Sequence, residues 1–251
     1  VPVIEYAVRE AAEAGVTDIA IVMSPGMESV ADYFGNQDVL ERELRARGRD
    51  ELLEVQLEIA SLANVTTVYQ HDPKGPGHAI HQAREFCDGE PFVVIFPDDV
   101  IIHDDSATEQ LMQVYREYGG SVIAVSEAPD EIVHTKGIVG GNEVTPGVYS
   151  VDVMVEKPAL EDAPSNLAIV ARYVLDNTLF DYLAEERSGA GGEIQITDAI
   201  ASLLGNSPIH ARRIEGFHAD TGNPGGMLEA AIHVAKQDPK LAEIVKRALD
   251  A

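Results

Sequence analysis

Four short segments of the sequence combine residue types that can hold a phosphate, a metal ion or a sugar. The first is Gln70 to Ala79, which reads Gln-His-Asp-Pro-Lys-Gly-Pro-Gly-His-Ala between a strand-like and a helix-like run. Its glycines let a ligand approach the backbone, and a helix N-terminus offers free N–H groups to an anion. The segment has neither the Gly-Lys-Ser/Thr of a Walker loop nor a full dinucleotide fingerprint. A plain tight turn between strand and helix is the alternative interpretation.

Two more segments place a carboxylate at a point where a strand is expected to end. Asp98 and Asp99 follow the buried run 92–96. Asp220 lies between the run 209–214 and a helix. Ligands of open α/β sheets bind beyond the carboxyl ends of the strands, and Mg²⁺ suits a carboxylate beside a phosphate because it takes few protein oxygens. Asp98 and Asp220 could therefore share one metal ion; the alternative is that both segments are ordinary polar turns or helix caps.

The fourth segment is Val-Glu-Lys-Pro, in which Glu156 and Lys157 carry the charges. Neighbouring residues on a strand point to opposite faces, so these two could share a ligand only where the strand ends or kinks. Pro158 favours such an end. A carboxylate can accept sugar hydroxyls while an ammonium meets a phosphate, and a surface ion pair is the alternative.

Composition excludes several classes of function. The 251 residues carry 18 Lys and Arg against 43 Asp and Glu, and the net charge of −25 argues against nucleic acid or an anionic membrane as the main partner. No run is long and apolar enough to cross a bilayer. The single Cys87 forms no intrachain disulfide, which fits a reducing cytoplasm, and we expect it to be a buried small residue. His78 and His81 lack a third ligand for zinc, and no Gly-x-Ser-x-Gly elbow supports a serine hydrolase.

Helix-like and strand-like runs alternate along most of the chain and supply the elements that must position these segments. The predicted helices cover 3–15, 38–62, 78–86, 106–118, 177–186, 193–204, 225–235 and 239–249. The predicted strands cover 18–23, 65–69, 92–96, 121–125, 138–139, 151–155, 167–174 and 209–214. This alternation predicts an α/β domain layered around a mostly parallel sheet. The Pro- and Gly-rich stretch after Pro129 is predicted to be an inserted, substrate-facing subregion, and residues 1–251 are predicted to form one domain.

The order and spacing of the motifs carry more information than any one of them. Along the chain they read Lys-Gly-Pro-Gly-His-Ala, Phe-Pro-Asp-Asp, Lys-Gly-Ile-Val, Val-Glu-Lys-Pro, Ala-Pro-Ser-Asn-Leu-Ala-Ile-Val-Ala-Arg-Tyr, Gly-Gly-Glu-Ile-Gln-Ile-Thr-Asp-Ala-Ile and Asp-Thr-Gly-Asn. This series resembles the bacterial UTP–glucose-1-phosphate uridylyltransferase family from residue 1 nearly to the C-terminus. The resemblance is most specific over 164–173 and 191–200. It implies a Rossmann-like, three-layer α/β/α nucleotidyltransferase fold with a mixed, mostly parallel sheet.

The resemblance also implies a reaction, in which UTP and α-D-glucose 1-phosphate give UDP-glucose and pyrophosphate with Mg²⁺. The site residues that it implies are Gln70 and Gly75 for the uracil, Asp98 and Asp220 for the metal, Gly137 and Glu156 for glucose hydroxyls, Lys157 for the sugar phosphate, and Tyr173 and Glu193 near the sugar. Catalysis is expected to depend on Lys157 and Asp98. The expected assembly is a homodimer or homotetramer in the cytoplasm.

Three features depart from the family pattern. The family's Gly-rich segment, whose Arg and Lys hold the triphosphate, is expected to precede Val1. Lys136 stands where Tyr usually precedes the residue matched by Gly137, and Pro224 stands where Lys often follows the Asp-x-Gly-Asn run. These departures leave two alternative functions open: a non-catalytic sugar-nucleotide binding protein, and a nucleotidyltransferase for another sugar phosphate or base.

Overall fold

The computed structural model describes residues 1–35, 37–184 and 192–250. Its helices are α1 Val3–Glu13, α2 Glu28–Phe34, α3 Asp38–Ala46, α4 Asp50–Ala60, α5 Pro76–Gln82, α6 Arg84–Cys87, α7 Ala107–Tyr118, α8 Asp130–Val133, α9 Leu179–Leu183, α10 Ile196–Ala201, α11 Pro224–Gln237 and α12 Pro239–Leu249. Its strands are β1 Asp18–Met23, β2 Asn64–Tyr69, β3 Phe92–Ile95, β4 Asp99–Ile102, β5 Ser121–Glu127, β6 Gly137–Thr145, β7 Val148–Glu156, β8 Leu167–Leu175, β9 Ile209–Arg213 and β10 Phe217–Asp220.

The largest sheet has six strands in the order β3-β8-β5-β9-β7-β6. Two smaller sheets accompany it, a parallel pair of β1 with β2 and an antiparallel pair of β4 with β10. The mixed α/β architecture is therefore confirmed. Within the six-stranded sheet β5 and β9 pair in parallel, and the other described pairings are antiparallel. This antiparallel share exceeds the sequence prediction because β6 and β7 are joined by two residues, which is too short for a parallel crossover.

Helices cover both faces of the six-stranded sheet, and the alternation of β5 shows how. Val122 and Ala124 pack on the face that α7 covers, in a cluster with Leu111. Ile123 and Val125 point the other way and join a larger cluster with Phe180 of α9 and Ile200 of α10. A strand buried on both faces reads as a continuous apolar run, which is how Val122–Val125 appears in the sequence.

The stretch after Pro129 is part of the main sheet, and the prediction of an inserted subregion is wrong. Strands β6, β7 and β8 supply three of the six strands, and Ile138 and Val139 are buried. The Pro and Gly residues mark turns between strands, as Pro146 and Gly147 do between the antiparallel strands β6 and β7. Composition alone does not separate such turns from an inserted subregion.

Several element boundaries also differ from prediction. The helix predicted over 38–62 is two helices, because Gly48 adopts a left-handed backbone (φ 59°) between α3 and α4. The helix predicted over 78–86 divides into α5 and α6, and that predicted over 193–204 shortens to α10. The short elements α2, β4 and β10 were not predicted. The end of the helix predicted over 177–186, with Glu185 and Glu186, lies outside the described residues.

Candidate functional site

Two predicted metal ligands, Asp98 and Asp220, face each other across Gly222. The antiparallel pairing of β4 with β10 puts Asp99 opposite Asp220, so Asp98 is brought beside the end of β10. The Asp98 carbonyl accepts hydrogen bonds from the N–H and the hydroxyl of Thr221, both at 2.7 Å. A Cβ built on Gly222 would lie 3.0 Å from Asp220 Oδ1 and 3.3 Å from Asp98 Oδ2. Both carboxylates therefore point toward one small volume.

Asp99 turns away from that volume. It is buried, with Oδ1 2.9 Å from His218 Nε2 and Oδ2 accepting a hydrogen bond from the Ala171 N–H at 3.3 Å. Burial alone would raise the pKa of Asp99, but the hydrogen bond and charge of His218, the Ala171 N–H and the charge of Lys136 together lower it. Asp98 is exposed. Of the two adjacent aspartates, Asp98 is therefore the one placed to bind a ligand.

A buried ion pair holds the loop that carries Asp98. Arg172, 1% exposed, donates from Nε and Nη2 to both carboxylate oxygens of Glu10 on α1, at 2.9 to 3.1 Å. The same guanidinium donates to the carbonyls of Phe96 at 3.0 Å and Asp99 at 2.6 Å, the residues on either side of Pro97-Asp98. Thr108 donates its N–H and hydroxyl to Glu10. The pair is saturated with hydrogen bonds, as a buried ion pair must be if it is to be tolerated.

The Glu156–Lys157 segment lies where a strand ends, as its sequence predicts. Strand β7 ends at Glu156, and Lys157 has a left-handed backbone with φ 49°. Such a conformation is unusual for a residue that is neither Gly, Asn nor Asp. It brings Lys157 Nζ to 3.4 Å from Glu156 Oε1. The two side chains therefore converge instead of pointing to opposite faces of the sheet.

Glu156 shares its surroundings with Gly137 and with the start of α10. A Cβ on Gly137 would lie 3.0 Å from Glu156 Oε2 and 3.1 Å from Thr197 Oγ1, so the glycine leaves the carboxylate and the hydroxyl room. Asp198 is close enough for burial first and the Glu156 charge second to raise its pKa. Two carboxyl groups and a hydroxyl thus lie near one another, which suits a ligand rich in hydroxyl groups.

Lys136 connects the Glu156–Lys157 segment to the Asp98–Asp220 pair. Its carbonyl accepts a hydrogen bond from the Lys157 N–H at 3.0 Å. Its ammonium lies 3.9 Å from Asp220 Oδ2. The Glu156–Lys157 end and the Asp98–Asp220 pair are therefore neighbours in one continuous site.

The Gly-rich segment packs against the residues that precede α10. Gln70 is buried, and its Nε2 donates to the Gly75 carbonyl at 3.3 Å and contacts His78 Nδ1 at 2.9 Å. Gly75 has φ 108°, and a Cβ there would meet Glu193 Cβ at 2.8 Å and the Ile194 nitrogen at 2.9 Å. The Ile194 N–H donates a hydrogen bond to the Lys74 carbonyl, and the Gly77 N–H donates to the Ile194 carbonyl, both at 2.8 Å. These two bonds hold the segments together. Only glycine fits this close approach.

The predicted site residues thus fall into connected groups. Contacts link Asp98 and Asp220 through Lys136 to Lys157, Glu156 and Gly137. Gln70, Gly75 and Glu193 form the second group, so Glu193 lies against Gly75 instead of against Glu156. Tyr173 is buried beneath the first group, where burial and then the charges of Glu156 and Asp99 raise its pKa.

Sequence reasoning missed four residues that shape the site: Arg172, Thr197, Asp198 and, as a member of the site, Lys136. The first three lie inside motifs that were already conspicuous, Ala-Arg-Tyr and Ile-Thr-Asp. An arginine in an apolar strand such as β8 is itself a signal, because Arg is almost never fully buried without a partner. Nothing in the sequence pointed to Glu10, which is separated from Arg172 by 162 positions.

No group of three or more His, Cys, Asp or Glu side chains converges within residues 1–35, 37–184 and 192–250. The donor set at Asp98 and Asp220 is instead two carboxylates that approach the same glycine, which fits a Mg²⁺ ion that keeps waters and binds phosphate. Cys87 is only partly buried, less than predicted, and burial raises its pKa to about 11. Its thiol is therefore unreactive at neutral pH. The described part of the chain contains no helix long and apolar enough to span a membrane.

Residues 1–237 match the family model described as nucleotidyl transferase. The UTP–glucose-1-phosphate uridylyltransferase of Staphylococcus haemolyticus is 43% identical over 246 residues, which cover 98% of this chain and 85% of the relative. A UDP-glucose pyrophosphorylase solved with UDP-glucose is 36% identical, with a TM-score of 0.85 over 94% of this chain and 87% of the other. A UTP-bound UGPase from Acinetobacter baumannii is 32% identical, with a TM-score of 0.89 over 99% and 87%.

Proposed function

This chain belongs to the nucleotidyl transferase family, and we propose that it makes UDP-glucose and pyrophosphate from UTP and α-D-glucose 1-phosphate. The observation that carries the proposal is the place at Lys136 where two pairs of charged side chains meet. There a carboxylate and an ammonium, Glu156 and Lys157, lie beside a pair of carboxylates, Asp98 and Asp220. A sugar phosphate needs the first pair, and a metal ion on a triphosphate needs the second. The relatives' names supply the same two substrates.

The chemistry asks little of general acid–base groups. The phosphate of glucose 1-phosphate is already an anionic nucleophile, so catalysis consists of aligning two anions and neutralising their charge. Glu156 accepts hydrogen bonds from glucose hydroxyls, with Gly137 leaving them room. Lys157 binds the phosphate and offsets its charge. We assign Tyr173 a supporting place below Glu156, since its phenol stays neutral at physiological pH.

The metal ligands are Asp98 and Asp220, and the ion we propose is Mg²⁺. When bound, such an ion neutralises phosphate charge and helps to align the reacting groups. The chain's own contribution is to fix the two carboxylates. Thr221 ties Asp98 to β10, and the Asp220 carboxylate accepts the Gly222 N–H at 3.0 Å.

We assign recognition of the uracil to Gln70 and Gly75. Gly75→Ala should raise the KM for UTP by about tenfold, because the new methyl would collide with Glu193 and Ile194. Gly15→Ala is the matched control, since Gly15 also has a left-handed backbone, with φ 86°, but no atom within 4 Å of its built Cβ. Equal KM values for UTP in both variants would argue against a base-binding turn at Gly75.

The experiment that tests the whole proposal is a pyrophosphate-release assay on the full-length protein. Glucose 1-phosphate is offered with UTP, dTTP, CTP or ATP in the presence of Mg²⁺, and UTP should give the highest kcat/KM. A protein that releases no pyrophosphate from UTP and glucose 1-phosphate does not have this function. Turnover with another sugar phosphate in place of glucose 1-phosphate would correct the substrate while keeping the reaction class.

We further propose that residues 1–251 form one nucleotidyltransferase domain that assembles as a homodimer or homotetramer in the cytoplasm. The Glu10–Arg172 pair supports a single domain because it joins α1 to the main sheet. Exposed apolar side chains on the last two helices, such as Leu228 and Ile244, support self-association. Light scattering coupled to gel filtration would measure the assembly, and a monomer at micromolar concentration would rule it out.

A further inference from the structure

We infer that Lys136 is a second phosphate-binding ammonium, which acts with Lys157 to hold the phosphate that enters as glucose 1-phosphate. The inference rests on the proposed function and deepens it. No role in the reaction follows for Lys136 from the motif pattern, so its assignment comes from its place in the structure.

The two lysines are backbone neighbours across the end of a strand pair. The Lys157 N–H donates to the Lys136 carbonyl at 3.0 Å, and the next pair in the register is Gly137 opposite Glu156. Both side chains are partly exposed, Lys136 at 32% and Lys157 at 47%. Each ammonium can therefore reach a ligand from solvent while its backbone stays fixed.

Neither ammonium is saturated by the carboxylate beside it. Lys136 Nζ lies 3.9 Å from Asp220 Oδ2, and Lys157 Nζ lies 3.4 Å from Glu156 Oε1. The first distance is too long for a hydrogen bond, and among the described residues the Lys136 ammonium makes no other ion pair. An ammonium has three N–H donors, so the two lysines keep donors for the oxygens of one phosphate.

The charge around the pair explains why one lysine would not suffice. Four carboxylates lie along this part of the site, those of Asp98, Asp99, Glu156 and Asp220. A doubly charged phosphate that enters beside Glu156 is repelled by them, and the repulsion is strong where water is partly excluded. Lys136 faces Asp220 and also lowers the pKa of Asp99, so its charge acts at the junction that the phosphate must occupy.

A purely structural role for Lys136 makes a different prediction. If Lys136 only balances Asp220 and Asp99, its loss should lower stability and should weaken every ligand alike. If it binds the sugar's phosphate, its loss should weaken the ligands that contain that phosphate and spare the others. UDP-glucose contains the phosphate, whereas UTP reaches the site without it.

The test uses Lys136→Met, Lys136→Arg and wild type as full-length proteins. Lys136→Met should raise the KM for glucose 1-phosphate and the calorimetric Kd for UDP-glucose in EDTA by about tenfold, and should change the KM for UTP by less than about twofold. Lys136→Arg keeps the charge and should recover most of the loss. Lys246→Met is the matched control, because it removes one charge from α12, far along the chain from the site.

Each outcome decides the matter. Unchanged UDP-glucose binding in Lys136→Met overturns the inference while wild-type turnover leaves the proposed function intact. A larger effect on UTP than on glucose 1-phosphate also overturns it and places Lys136 on the nucleotide's phosphates. Wild-type protein that neither binds UDP-glucose nor turns over glucose 1-phosphate refutes the proposed function itself.

Discussion

At the metal end of the site, which comprises Asp98, Asp99 and Asp220, the buried carboxylate of Asp99 and the buried Glu10–Arg172 ion pair behind it are paired and hydrogen-bonded. At the sugar end, which comprises Gly137, Glu156, Lys157 and Asp198, like charges also interact: Lys157 Nζ lies 3.4 Å from Glu156 Oε1, but Glu156 also acts on the carboxyl group of Asp198. Asp99 has His218 and the Arg172 guanidinium has Glu10. Glu156, by contrast, raises the pKa of Asp198, and Lys157 holds a left-handed backbone.

The difference indicates that the two ends serve different needs. A metal ligand must be fixed before substrate arrives, because misplacement of about 1 Å can cost a hundredfold in rate. The sugar end must instead be completed by its ligand, so neighbouring carboxylates and backbone strain are tolerated there. Stability is therefore expected to reside at the metal end, and activity to depend on both ends.

The largest expected effect comes from removing a metal ligand. Asp98→Ala or Asp220→Ala should lower kcat by at least about a thousandfold, or about 4 kcal/mol, because the phosphates would lose their aligned counter-charge. The measurement is pyrophosphate release under saturating substrates, with Mn²⁺ binding as a second readout. Near-normal turnover in either variant would refute the metal assignment and remove the basis of the comparison.

The next effect tests whether stability resides behind the metal end. Arg172→Met should lower the free energy of unfolding by about 3 to 5 kcal/mol, because Glu10 would remain buried without a partner. Urea denaturation measures this change. The double variant with Glu10→Met should recover much of the loss, since an apolar pair replaces the ionic one.

A double variant as unstable as Arg172→Met alone would show that the carbonyls of Phe96 and Asp99 matter more than Glu10. Arg172→Met with a loss below about 1 kcal/mol would contradict the comparison, because a buried arginine with a saturated set of partners should not be dispensable.

At the sugar end, the same logic predicts a gain in stability together with a loss in activity. Lys157→Gly relieves the left-handed strain and should raise the free energy of unfolding by up to about 1 kcal/mol. It should lower kcat/KM for glucose 1-phosphate by about a hundredfold, since the phosphate loses its ammonium. Asp88 has a similar φ of 45° at the end of α6 and supplies the control.

Asp88→Gly should gain less stability, because Asp tolerates a left-handed backbone better than Lys, and should lose no activity. If Lys157→Gly retained full activity, Lys157 would have no place in binding the phosphate. If it lost stability while Asp88→Gly gained it, the left-handed backbone at Lys157 would not be a source of strain.

How far the sequence predicted this site depends on the kind of contact involved. Asp98, Glu156 and Lys157 were predictable because each directly follows or ends a strand, and strand ends are where ligands bind. The Pro97-Asp98-Asp99 segment could not be divided into an outward and an inward aspartate, since that depends on His218, 119 positions away. The ion pair between Arg172 and Glu10 could not be predicted either, because a pairing across 162 positions leaves no local sequence pattern.

The same limit applies to the fold. The strands β1, β3 and β5 were predicted from unbroken apolar runs, whereas β4 and β10 are short strands whose pairing partner is remote. The segment that contains β6, β7 and β8 was mistaken for an insertion because its turns dominate its composition. Short-range patterns thus predicted the strands that carry a clear apolar or β-branched run and missed the short pair of β4 and β10.

The smallest expected effect tests the like-charge contact at the sugar end. Asp198 lies in the first turn of α10, where a carboxylate is normally favourable, yet burial and the Glu156 charge raise its pKa. A carboxyl whose pKa is higher in the folded than in the unfolded state destabilises the fold when it is ionised, and this cost disappears as the pH falls below both values. Asp198→Asn should therefore raise the free energy of unfolding at pH 7 by about 0.5 kcal/mol or less, since solvent screens this exposed group. The gain should vanish near pH 3.

Glu54→Gln on α4 removes one negative charge elsewhere and measures the general effect of lowering the net charge of −25. A gain in Asp198→Asn no larger than in Glu54→Gln would show that the sugar end holds no particular repulsion, and the contrast with the metal end would then depend on Lys157 alone.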